Sequence, residues 1–322
     1  MSRKKCSRSC GIGGQAVLEG VMMKNKDLYA VTVRKPDGDF VIDTEEFHGV
    51  MHGNKIKNVP FIRGIFNFVD SLTLGTRILT YSADFMEDET AKETAMDHWF
   101  KKVFKDKAES VISGLTVALS IVLAVAIFMV LPYFISSLLD KFVRNTTVLA
   151  VIEGILRLAI FVGYVVLISA MEDIKRVYMY HGAEHKCINC IEHGYELTVR
   201  NAKRSSRLHK RCGTSFLFFV MFVSIILFFF IRVPNPVLKV VLRIALMPVV
   251  AGISFEIIRL AGRSDNIFVR ILSAPGMLIQ RMTTKEPDEQ MIEVAIASVE
   301  AVFDWKQYLK DNFDKDVDAG KE

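Results

Sequence analysis

Several features that would mark a familiar enzyme or transporter are missing from this 322-residue chain. No glycine-rich phosphate loop of the G-x-x-x-x-G-K-[ST] type occurs, so an ATP-driven mechanism has no support. The seven histidines include no adjacent pair and form one supported cluster, which disfavours a di-iron membrane oxygenase. No internal repeat is visible, which weakens a transporter built from duplicated halves. The basic N-terminal residues are not followed by an apolar run, so there is no recognisable signal peptide. Roughly the first 100 residues are therefore expected to stay where they are made.

Charge is the most informative absence. Residues 110–139 and 213–231 carry no charged side chain. About 20 apolar residues span a bilayer core. Two weaker candidates are 146–170, apolar except for Glu153 and Arg157, and 237–258, apolar except for Lys239, Arg243 and Glu256. The expected fold is mainly α, a polytopic helical membrane protein with about four transmembrane helices. A small N-terminal β-hairpin region and a C-terminal amphipathic helix complete it. The expected division is 1–59, a cytoplasmic β-rich segment; 60–109, an amphipathic or interfacial helix and linker; 110–261, the membrane domain with a site loop at 171–212; and 262–322, a cytoplasmic helical segment.

Lysine and arginine set the orientation. The 171–212 segment holds nine of them, and Lys101, Lys102, Lys105 and Lys107 precede the first span. The segments 140–145 and 232–236 hold few. An even number of spans then places both termini and the 171–212 segment in the cytoplasm of a bacterial cell, as a multi-pass plasma-membrane protein. The net charge of +5 needs no nucleic-acid partner, because basic loops beside spans already meet an anionic leaflet. The five cysteines, Cys6, Cys10, Cys187, Cys190 and Cys212, all fall on that side, so metal ligation or inert thiols are expected rather than disulfides.

In the N-terminal part, Leu28–Arg34 and Phe40–Glu46 flank the turn sequence Lys35-Pro36-Asp37-Gly38-Asp39, a hairpin signal. The stretch Gly13 to Met23 carries one carboxylate, Glu19. Residues 60–86 read as a helix on which Arg63, Asp70, Arg77 and Asp84 recur every seven positions, a spacing that keeps them on one face. That seam either faces solvent or is aimed at a polar cavity. Residues 87–109 read as a charged linker or exposed helix. Gly262-Arg263-Ser264-Asp265-Asn266 reads as a turn, and Pro275-Gly276 as a chain break. Residues 287–309 read as an amphipathic helix opened by Pro287-Asp288-Glu289.

Within 171–212 lies His181-Gly-Ala-Glu184-His185, followed by His209 and Cys212. Imidazoles at i and i+4 share a helix face and can reach one metal ion. The spelling H-x-x-E-H is that of the inverted zinc-peptidase motif. Glu184 is placed to orient or deprotonate a metal-bound water. The ligand candidates are His181, His185, His209 and Cys212, a set suited to zinc first and iron second. Three ligands with an open position make a catalytic site; all four make a closed structural one. A His-x-x-x-His pair alone is commonly a surface pair. Cys187 and Cys190 have Cys-x-x-Cys spacing, which can clip a zinc but equally places two small side chains on helix faces. Within the spans, Glu153 and Arg157 are four apart and can pair as a polar seam.

The runs Gly-Gly-Gln-Ala-Val-Leu-Glu-Gly-Val-Met-Met at 13–23, Pro-Phe-Ile-Arg-Gly at 60–64, Tyr-His-Gly-Ala-Glu-His-Lys at 180–186, His-Lys-Arg-Cys-Gly-Thr-Ser-Phe at 209–216 and Thr-Thr-Lys-Glu-Pro-Asp-Glu at 283–289 carry a family resemblance. The chain resembles the YqhQ-like proteins, an uncharacterised bacterial membrane family described as predicted metal-dependent enzymes, over about residues 11–305. Family members often look like His-Pro-Arg-Cys-Gly where Lys210 stands here, which changes no ligand. The resemblance implies a multi-pass membrane protein with a metal site and supplies no substrate. The expected function is a membrane-embedded, metal-dependent hydrolase at the cytoplasmic face of the lipid bilayer, with Glu184 as general base. Glu19, Arg63, Asp70, Arg77, Glu153 and Arg157 stand as substrate-contacting or structural polar residues. The alternative is a non-catalytic scaffold with a structural zinc. A transporter working through the Glu153–Arg157 seam is the third reading, weakened by the small number of spans.

Overall fold

The structure, a computed structural model, describes residues 9–54, 56, 59–86, 108–262, 266–315 and 317. Cys6, the 87–107 part of the charged linker with its five lysines, and the centre of the 262–266 turn lie outside the described residues. The chain forms two compact units. One comprises Met1–Met86, Val165–Val223 and Pro248–Glu322; the other comprises Glu87–Tyr164 and Ser224–Met247.

The first unit is built on an antiparallel sheet of β1 (Gly13–Val17), β2 (Gly20–Asn25), β3 (Leu28–Arg34) and β4 (Phe40–Glu46), paired in that order. The hairpin expected from the Lys35–Asp39 turn is the β3–β4 pair, closing at Arg34↔Phe40. Asp37 accepts the Asp39 N–H at 3.0 Å and Gly38 takes a positive φ of 95°, so both turn signals act as read. The sheet is twice the size of that hairpin because the Gly-rich 13–23 stretch folds back on itself as β1 and β2.

Both faces of the central strands β2 and β3 are covered, whereas the edge strand β4 alternates exposed and half-buried residues. Val17, Met22, Tyr29, Val31 and Val33 pack against Leu74 and Ile78 of α1 (Ile62–Asp84). Val21, Met23 and Ala30 face Tyr180, Ala183 and Ile188 of a helix at Glu172–Glu192, together with Met291, Ile292 and Val299 from a helix at Glu289–Glu300. Burying these side chains, at about 25 cal/mol per Å² of apolar surface, supplies the drive that orders the unit.

Three expectations are corrected here. The 171–212 segment is mostly helical, with α5 (Glu172–Glu192) and α6 (Val199–Arg204). Apolar positions on α5 bury against the sheet, which a free loop could not do. The chain break at Pro275-Gly276 falls inside α10 (Ile267–Thr283). Pro275 removes one N–H, but the helix runs on to Thr283, where Gln280 makes buried bonds to His209 and Ser215. The C-terminal amphipathic segment is two helices, α11 (Glu289–Glu300) and α12 (Trp305–Phe313), capped by Asp288 and Asp304.

The second unit holds α2 (Ala108–Val125), a π-turn at Ala126–Val130 and α3 (Leu131–Leu138), with most of α4 (Thr146–Ser169) and α8 (Pro236–Ala245). Two helices, Gly114–Lys141 and Thr146–Ser169, are long and apolar enough to cross a membrane. A third is added if α8 and α9 (Met247–Ala261), bent by 41°, count as one span. The remaining candidate, α7 (Gly213–Phe229), has 17 residues, about 26 Å of helix against a hydrocarbon core of about 30 Å. The described residues thus give two or three membrane-length spans.

Candidate metal centre

Helix α5 presents His181 and His185 one turn apart, their ring centroids separated by 4.4 Å. Each ring is fixed by a main-chain carbonyl. His181 Nδ1 lies 2.9 Å from Thr283 O and His185 Nδ1 lies 2.7 Å from Arg207 O. A carbonyl oxygen can only accept, so Nδ1 carries a proton in both rings, and Nε2 is the nitrogen left to act as a metal ligand. This outer bond is the usual means of orienting an imidazole ligand. His181 Nε2 is 3.1 Å from Cys212 Sγ. One ligand atom each from His181, His185 and Cys212 lie within 4.8 Å of one another. Cys212 Sγ accepts from the Thr214 N–H at 3.4 Å and lies 3.1 Å from the Thr214 hydroxyl, a contact in which either group can donate. Two imidazoles and a thiol make a donor set that fits zinc.

His209 is placed differently. Its ring is 5.7 Å from that of His185, but its Nε2 donates to Glu192 at 3.2 Å, and it lies outside the three-residue group. Gln280 grips its backbone from both sides, accepting from His209 N at 2.9 Å and donating to His209 O at 2.7 Å. Burial holds the His209 imidazole below its ordinary pKa despite the neighbouring carboxylate. Glu192 itself is buried, which opposes ionisation. Bonds from His209 and Arg211 and the Cys10 N–H outweigh that and keep it at about 2.

Glu184 is buried beside the pair. Burial raises its carboxyl to about 7, against the opposing pull of His181 and the Gly14 N–H. The contact with β1 is close: a Cβ added at Gly14 would stand 2.8 Å from Glu184 Cγ and 2.7 Å from Met22 O. Gly182 has the same significance on the opposite side, because a Cβ there would sit 2.0 Å from Lys285 O. The glycine in His-Gly-Ala-Glu-His thus lets the 283–289 run lie against α5.

That run and α5 together brace the irregular stretch leading to Cys212. Lys186 donates to Lys203 O and Ser205 O, each at 2.9 Å, and pairs with Glu286 at 3.0 Å. Asn189 donates to Ser206 O at 2.7 Å and Leu208 O at 3.0 Å. Buried carbonyls of an irregular segment need such partners, which explains these polar side chains in a core helix. Thr283, Arg207, Gln280 and Glu192 were not singled out by sequence reasoning. His185, Asn189 and Glu192 do fall at helical spacing on one face, so the face was legible although its partners were not.

Cys187 and Cys190 lie in the apolar core, and Cys190 Sγ donates to Glu196 O at 3.3 Å. Burial pushes the Cys187 thiol well up and Cys190 to about 11. The two are core residues, separate from the His181 group. Cys10, Cys187, Cys190 and Cys212 are all free thiols.

The other polar candidates serve as ties. Glu19 takes both Nε and Nη2 of Arg176 at 2.5 Å, joining the β1–β2 turn to α5. Arg63 makes a two-pronged pair with Glu256 of α9. Asp70 accepts the Val50 N–H at 2.8 Å, and Arg77 pairs with Glu45 of β4 at 2.7 Å. The Arg63 end of the α1 seam lines a cavity of about 470 Å³, with Lys24, Asp27, Asn67, Asp70 and Arg259 around it. The seam therefore faces a polar cavity at that end. Asp27 and His52, which line it, and the neighbouring His48 also bring ligand atoms within 4.8 Å of one another, but all three are exposed. Glu153 and Arg157 pair at 3.0 Å in the second unit.

A mainly helical chain with membrane-length spans, a four-stranded sheet and a His/His/Cys cluster is the class that fold and site define. The chain belongs to a family of proteins of unknown function, DUF1385, which it matches over residues 59–305. It is 36% identical over 296 residues to the uncharacterized protein YqhQ of Bacillus subtilis (strain 168), covering 89% of this chain and 90% of that one. No solved structure matches.

Proposed function

We propose that the chain is a metal-dependent hydrolase of the bacterial plasma membrane, with His181, His185 and Cys212 holding a divalent ion, zinc ahead of iron. The observation that carries this reading is the convergence of three donors while the fourth candidate, His209, is engaged by Glu192. Three protein ligands are the number found in catalytic zinc sites; structural sites fill all four positions. A bound divalent ion supplies Lewis acidity to a water molecule. Glu184, raised to about 7, is suited to take and return a proton near neutral pH. Thr283 O and Arg207 O keep both imidazoles in the tautomer that offers Nε2.

The same proposal includes four spans, with α7 and the bent α8–α9 pair added to the two long helices, and both termini in the cytoplasm. The nine basic residues of 171–212 support that orientation. The bilayer is the expected partner, the substrate is unassigned, and no nucleic acid is expected. The alternative, a scaffold with a structural zinc, is favoured by the dense bracing around 203–212, and it requires His209 as fourth ligand.

Metal analysis of purified protein separates these. Wild type, His209→Gln and Glu184→Gln are expected to retain about one zinc equivalent, and His181→Ala and Cys212→Ser to lose it. Loss of metal in His209→Gln as complete as in Cys212→Ser supports the closed site. Sub-stoichiometric metal in the wild type sinks both readings.

A further inference from the structure

Inside the second unit a single carboxylate faces three cations. Arg157 Nη2 donates to Glu153 Oε1 at 3.0 Å, and Arg243 Nη2 donates to Glu153 Oε2 at 3.0 Å. Lys239 Nζ stands 4.0 Å from Glu153 Oε2. Arg157 and Arg243 are only 3% and 2% exposed, on helices α4 and α8. Among the described residues, Glu153 is the carboxylate that pairs with these cations, so the cluster has a surplus of two positive charges.

Arginine cannot discharge this surplus by losing a proton. Even a neutral Lys239 leaves one uncompensated charge. The surroundings offer aromatic faces in place of counter-ions. Phe228 lies 4.8 Å from the Arg157 guanidinium and 5.2 Å from that of Arg243, and Tyr133 lies 4.5 Å from Lys239 Nζ. The donors are also unspent. Arg157 Nε and Arg243 Nε and Nη1 are buried without a hydrogen-bond partner. Arg243 Nη1 is 2.7 Å from Glu153 Oε1 but is not aligned to donate to it. Buried charges and donors are normally matched.

Both arginines line a small, partly open pocket of about 10 Å³, together with Gly154, Ile225 and Phe228. That volume admits one water-sized occupant and is too small for phosphate, sulfate or a carboxylate ligand. A water can accept the free N–H groups but leaves the charge surplus untouched. We infer that this intramembrane pocket, formed by Arg157, Arg243 and Glu153, binds a monatomic anion, with chloride as the cellular ligand.

The test is equilibrium binding of radiolabelled chloride to the full-length protein in lipid nanodiscs. Alongside it, thermal midpoints are measured in sodium chloride and in sodium gluconate at matched ionic strength. The wild type is expected to bind chloride saturably and to have the higher midpoint in chloride. Arg157→Gln should weaken binding about tenfold or more, through loss of a charge-assisted donor. Glu153→Gln removes the competing negative charge and should tighten binding. Should Arg157→Gln fail to fold, Glu153→Gln and Arg157→Lys, which keeps the charge but drops Nε, decide the matter. No saturable chloride binding, or a Glu153→Gln variant that binds no tighter, overturns the inference: the first means a water occupant, the second a purely structural ion pair.

Discussion

Glu192 offers the sharpest test of how the centre is held. Its carboxylate receives the Cys10 N–H at 2.9 Å, His209 Nε2 at 3.2 Å and the Arg211 guanidinium. These bonds overcome burial and bring its pKa from 4.5 to about 2. A carboxylate whose folded pKa is depressed stabilises the protein above its unfolded pKa, and that stabilisation is lost as pH falls. The drop from 4.5 to about 2 corresponds to up to about 3 kcal/mol at pH 7, falling to about 1 kcal/mol near pH 3. Glu192→Gln should therefore lower the apparent thermal midpoint by about 6–12 °C at neutral pH. The gap to wild type should narrow steadily as the buffer approaches pH 3. Intrinsic fluorescence melts of both proteins in the same detergent, from pH 3 to 8, measure it. Equal midpoints at pH 7, or a gap that widens on acidification, refute the assignment of Glu192 as a buried ionised clamp.

The other predictions are briefer. Gly182→Ala drives a methyl group into Lys285 O and should cost about 1–3 kcal/mol or more, seen as a lowered midpoint and loss of metal. A Cys187→Ala, Cys190→Ala double variant should keep its full metal content, because both thiols belong to the apolar core; loss of metal would show that Cys-x-x-Cys is a ligand pair after all. The raised thiols of Cys10, Cys187 and Cys190 should resist iodoacetamide at pH 8 in the folded protein and react once it is denatured, as read by mass spectrometry.

The fold was legible where one periodicity decides the outcome. The charge-free runs gave α2–α3, the turn residues gave β3–β4, and the apolar 60–86 stretch gave α1 within two residues at each end. The site's ligand candidates were legible from spacing, since i, i+4 alone places His181 and His185 together. The four-way choice among His181, His185, His209 and Cys212 was not. His209 and Cys212 are three residues apart, and spacing treats them alike. Glu192, on the far end of α5, and Gln280, some 70 residues downstream, turn His209 aside.

The sequence by itself determined the two longest apolar spans, the β3–β4 hairpin, helix α1 and the chemical identity of the candidate donors, because these depend on local pattern and side-chain chemistry. Tertiary structure alone decided which donors converge, that Cys187 and Cys190 are core, and that the α1 seam turns to a cavity. It also brought Arg243 to the Glu153–Arg157 pair. Each of these depends on contacts between residues distant in sequence, where burial and hydrogen-bond satisfaction choose among arrangements that local patterns leave equal.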